Sequence, residues 1–115
     1  MNNIQFIDKL KELTVNRTIQ WRLLRNDVFR HSTKSQIVEI SRNTYSLFPG
    51  ASTYKFEVFD REMKIFSHTV EYFHRRRPLE THIIELFNEV HKKYEDQLSV
   101  SYTSIIDSSI NGSNK

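Results

Sequence analysis

The chain has 115 residues, 17 Lys and Arg against 14 Asp and Glu, and no cysteine. That length fits one domain able to bury a core without covalent staples, and the lack of cysteine excludes a disulfide framework, a thiolate nucleophile and a cysteine-type zinc site. A net charge of +3 is too small to imply a nucleic-acid partner by its sum alone. No window approaches the length of a membrane span, and Asp8, Lys9, Lys11 and Glu12 interrupt the apolar run that a secretory signal needs, so a soluble, cytoplasmic protein is expected.

From Asn3, read as a capping residue, Phe6, Ile7, Leu10 and Leu13 recur at three- and four-residue spacing and predict an amphipathic helix ending near Thr14. Val15-Asn16-Arg17 then makes a turn. Ile19, Trp21 and Leu23 alternate with Gln20 and Arg22 as a first strand, with Trp21 as a buried residue that anchors the helix. Asn26 to Ser35 shows no clean period and reads as a loop, carrying at most a helical turn at Val28-Phe29.

Gln36 to Ile40 and Thr44 to Phe48 are β-rich runs, and Ser41-Arg42-Asn43 between them reads as a hairpin turn. Pro49-Gly50 breaks the chain and leads into a second hairpin, Thr53 to Phe66, around the polar turn Asp60-Arg61-Glu62. There Tyr54, Phe56 and Val58 point to one face, while Lys55, Glu57 and Phe59 point to the other. Pro78 is a favoured first helical residue, and Leu79, Ile83, Leu86, Phe87, Val90 and Tyr94 give a long apolar stripe. Leu98, Tyr102, Ile105 and Ile106 extend that spacing, but Ser99 to Ser104 is rich in weak helix formers and predicts a break near Ser99 followed by a third short helix. The fold class expected is therefore α+β. It comprises an N-terminal helix, an antiparallel four- to five-stranded meander sheet, and a C-terminal amphipathic helix or helix pair, with the helices on one sheet face. One domain is expected over residues 1–106, with 107–115 as a flexible polar tail.

The run Leu13-Thr14-Val15-Asn16-Arg17-Thr18-Ile19-Gln20-Trp21 resembles an element of small uncharacterised proteins of Firmicutes and their phages. In these a first helix ends in Leu-Thr, a turn follows, and Ile-x-Trp opens a strand. The later order is also similar: an aromatic run like NTYSLF, a strand like YKFEVFD, then a C-terminal amphipathic helix. Arg17 stands where those proteins usually carry glycine. The resemblance implies the α+β fold and supplies no site.

Patterns that carry chemistry are scarce. The five histidines form no HxH or HExxH pair, and His82 with Glu85 would offer only two ligands from one helix, so no metal site is expected. Glu57, Asp60 and Glu62 sit among Lys55, Arg61 and Lys64 as solvated turn charge, and no G-x-S-x-G elbow organises a nucleophile. With no catalytic residue and no cofactor indicated, the chain reads as a non-enzymatic protein-interaction module, self-association included. Phe59, Phe66 and Leu24 fall off the main apolar registers, and together on an open sheet face they would form a partner-binding patch. The alternative is a nucleic-acid or acidic partner bound by Arg75, Arg76 and Arg77 beside Tyr72, since guanidinium groups next to aromatic rings suit phosphates and bases.

Overall fold

A computed structural model of the protein describes residues 1–44, 51–71 and 77–113. Helix α1 (Asn3–Val15) is followed by strands β1 (Arg22–Arg25), β2 (Val28–Ser32), β3 (Gln36–Thr44), β4 (Ser52–Asp60) and β5 (Met63–Val70), and then by helix α2 (Pro78–Ser113). The five strands form one antiparallel meander in the order β1-β2-β3-β4-β5. The fold is α+β, with both helices on one face of the sheet.

The helix starts follow capping chemistry. Asn2, one residue before the expected cap, accepts the Gln5 N–H while the Gln5 side chain accepts the Asn2 N–H, a reciprocal capping box. At the other end of α1, Arg17 N–H bonds to the Thr14 carbonyl and Thr18 N–H to that of Leu13, with Arg17 at φ 58°. This is the Schellman closure, which favours glycine at the position Arg17 holds. Pro78 opens α2, as its fixed φ suits, and the Glu80 carboxylate two residues on accepts the Arg77 N–H at 3.0 Å.

Between helices and sheet lies one core of Ile7, Leu10, Phe29, Val38, Ile40, Phe56, Val58, Val70, Ile83, Leu86, Phe87 and Val90. Phe6, Ile19, Trp21, Leu23, Tyr54, Phe66 and Tyr94 pack around it. The Trp21 Nε1–H donates to the Thr14 hydroxyl at 2.9 Å, and that buried hydroxyl donates to the Leu10 carbonyl, which ties the first strand to α1. Asp8 meets His82 and Lys11 meets Glu85, pairings that advance together, so the two helices lie side by side and parallel.

Four expectations from the sequence need correction. The first strand begins at Arg22, because the Schellman closure draws in the chain as far as Ile19, whose N–H also reaches the Leu13 carbonyl. Asn26–Ser35 is not a loop: Asn26-Asp27 is a tight turn, with Asp27 at φ 55°, and β2 follows it at once. Ser41-Arg42-Asn43 is not a turn, since β3 runs through it in unbroken register with Lys55, Tyr54 and Thr53. Arg42 holds its inward place there because its guanidinium meets Asp27 at 3.1 Å and lies 4.8 Å from the Phe87 ring centroid. Of the second β-rich run only Thr44 falls in β3; Tyr45 to Phe48 lie outside the described residues. Finally, α2 has no break at Ser99 and stays helical through Ser113, including the part of the expected tail up to that residue.

Candidate protein-interaction surface

The sheet face turned away from the helices carries charge. One row across it reads Arg22, Arg30, Glu39, Glu57 and Ser67, each opposite the next in the strand register. Arg30 meets Glu39 at 3.0 Å, and Glu57 takes Lys64 at 2.6 Å, Lys55 at 3.4 Å and the Ser67 hydroxyl at 3.3 Å. Partial burial pushes the Glu57 carboxyl up, but the hydrogen bond from Lys64 and the two ammonium charges outweigh it and hold the group below its usual range. Each carboxylate of this face is thus paired, and Arg22, Arg30, Lys55 and Lys64 outnumber Glu39 and Glu57, so these groups leave a net positive charge.

The residues expected to make an apolar patch are separated. Phe59 does stand on the charged face, half-buried, with the Lys64 ammonium 5.7 Å from its ring centroid. Phe66 is on the helix side, opposite Val58 and edge-on to Phe56 at 6.0 Å. A bulge explains the difference: between Val58 and Phe59 the pairing slips by one residue at Ile65, which turns Phe66 inward. Leu24 sits at a second irregularity in β1 and is half-buried. Between α1 and strands β2 to β5 there is a cleft of about 480 Å³ lined mostly by apolar side chains, Phe6, Leu10, Phe56, Ile65 and Phe66 among them.

Of the basic segment, Tyr72, Arg75 and Arg76 lie outside the described residues. Arg77 is exposed; its backbone N–H donates to Glu80, and its charge also helps hold that carboxyl below its usual range. His82 and Glu85 point to different partners on α1, Asp8 and Lys11. Among the described residues no three His, Cys, Asp or Glu side chains cluster as metal ligands would.

The unexplained surface is the second half of α2. At about 1.5 Å per residue its 36 residues extend ~54 Å, close to the 57 Å longest dimension of the molecule. The sheet supports only the first part. Ile83, Leu86, Phe87 and Val90 are fully buried and Tyr94 meets Phe29, but from Ser99 to Asn111 every residue is exposed. The apolar stripe does not stop with the sheet. At ~100° per residue, Tyr102 and Ile105 lie within about 40° of Leu98, and Ile106 about 80° away. Tyr102, Ile105 and Ile106 are 60%, 60% and 59% exposed. Measured from the middle of the buried set Ile83, Leu86, Phe87, Val90 and Tyr94, Leu98 and Ile105 continue the core-packing face within about 65°, while Tyr102 and Ile106 lie about 105° and 145° round, so the apolar strip winds off that face beyond the sheet. The stripe was visible in the sequence; its exposure was not, because the sequence does not show where β1 ends the sheet.

No protein-family model, curated protein or solved structure matches this chain. No helix among the described residues is long and apolar enough to cross a membrane.

Proposed function

We propose that the protein is a non-enzymatic protein-interaction module and that the bare half of α2 is its contact element. One observation carries this reading: Leu98, Tyr102, Ile105 and Ile106 form an apolar strip that runs on from the core-packing face where no sheet remains to cover it. Contiguous exposed apolar surface on a helix suits recognition by another helix or a groove. A membrane is a poor match, since the other helix face is rich in Ser rather than Lys or Arg.

Site-specific photocrosslinking in the native host tests the proposal. A photoreactive residue at Tyr102 or Ile105 is expected to give discrete protein adducts, while one at Val100 or Asp107, on the opposite helix face, gives none. Absence of adducts at all four positions, or equal labelling on both faces, contradicts it.

A further inference from the structure

We infer that the bare stripe of α2 is covered by a second copy of the chain, the two helices pairing antiparallel about a twofold axis. This rests on the stripe being a contact surface and names its occupant. The first support is charge. No Asp, Glu, Lys or Arg stands between Gln97 and Asp107, and Asp107 lies about 180° round the helix from Leu98, so two identical faces meet without like-charge opposition.

The second support is shape. With the axis midway between Thr103 and Ser104, Leu98 of one copy faces Ser109 of the other and Tyr102 faces Ile105, with Ile106 at the edge of the seam. Leu98 meets Ser109 at each end of the seam, and Tyr102 packs on Ile105 on both sides of its centre, at an ordinary interhelical distance of about 8–10 Å.

A seam of this length is expected to bury on the order of 1,000 Å² in total, within the range of weak rather than stable complexes. A weak dimer, populated only at micromolar concentration and above, is therefore expected. Pairing also accounts for the helix itself. Ser99 to Ser113 contains six serines, a threonine, a valine, an asparagine and a glycine, poor helix formers that need tertiary contact to stay helical in water.

Sedimentation equilibrium of the full chain from about 1 to 300 μM is the test, with Ile105→Glu on the seam and Asp107→Lys on the opposite face. The expected result is a monomer–dimer equilibrium that Ile105→Glu weakens at least tenfold and Asp107→Lys leaves in place; both positions are exposed, and an unchanged melting temperature at a concentration where all three proteins are monomeric confirms folding. Orientation is read from disulfide formation, since the chain has no cysteine of its own. Leu98→Cys mixed with Ser109→Cys is expected to cross-link, while neither does so alone. Homotypic cross-links at both positions would mean a parallel pair and overturn the proposal. A monomer throughout the range, or a dimer indifferent to Ile105→Glu, overturns it as well. Photoadducts to a different protein at Tyr102 combined with a monomer in solution would reject self-pairing yet keep the interaction-module reading; no adducts and no dimer would reject both.

Discussion

Replacing Glu80 removes the most heavily used buried acid among the described residues. Its side chain is almost fully buried; Oε1 accepts the Arg77 N–H at 3.0 Å and Oε2 lies 3.4 Å from His68 Nε2. Loss of a charge-assisted hydrogen bond costs about 1.5–3 kcal/mol. Loss of a negative charge at a helix N-terminus adds about 0.3–1 kcal/mol, so Glu80→Ala is expected to destabilise the fold by roughly 2–3 kcal/mol after some relief of carboxylate burial. Glu80→Gln keeps an accepting oxygen and should cost about half as much. The pH dependence separates charge from shape. The Arg77 N–H holds the Glu80 carboxyl below its ordinary value of 4.5, burial opposes this, and His68 adds to the lowering. A carboxyl that binds its proton less tightly when folded stabilises fully above the unfolded value, and that stabilisation is lost as pH falls through the folded value. Urea denaturation at pH 7 and in steps below pH 5 should therefore show a shallower acid loss for Glu80→Gln than for the unaltered protein. Glu57 supplies a remaining slope of the same sign. A Glu80→Ala cost under about 0.5 kcal/mol, or identical acid profiles for Gln and Glu, would refute the capping role.

The other predictions concern backbone and buried polar groups. Arg17→Gly relieves a left-handed residue at the α1 closure and should stabilise the fold by about 1 kcal/mol, read as a raised melting temperature at concentrations where the chain is monomeric. Arg61 and Glu62, at φ 52° and 71°, form the two-residue β4–β5 turn. The pair Arg61→Asn with Glu62→Gly suits that mirror-image turn, and a gain of about 1–2 kcal/mol in urea is expected. Thr14→Val strands the Trp21 indole N–H and should cost about 1–3 kcal/mol, with a shift in Trp fluorescence because Trp21 is the single tryptophan.

Local pattern made much of this fold legible, and distant contacts account for what it hid. The alternation Tyr54, Phe56, Val58 and the stripe from Leu79 to Tyr94 depend only on their own period, and both stand as read. β2 escaped notice because only Phe29 and His31 turn inward, too few for a visible period and one of them polar. β3 looked like two strands because Ser41-Arg42-Asn43 has turn composition; its continuity rests on Asp27 and Phe87, which no neighbouring residue reveals. The candidate patch failed for a similar reason, since one bulge residue, Ile65, reverses the facing of Phe66. The helical run from Ser99 was misjudged by propensity alone. If a second copy covers it, the missing stabilisation comes from outside the chain.

Amide hydrogen exchange along α2 bears most directly on the bare stripe as a contact surface. In the unaltered protein at about 200 μM, amides from Ser99 to Asn111 are expected to be protected, and Ile105→Glu should release them while Ile83 to Val90 stay protected in both. Equal exchange of Ser99 to Asn111 in the two proteins would contradict the account.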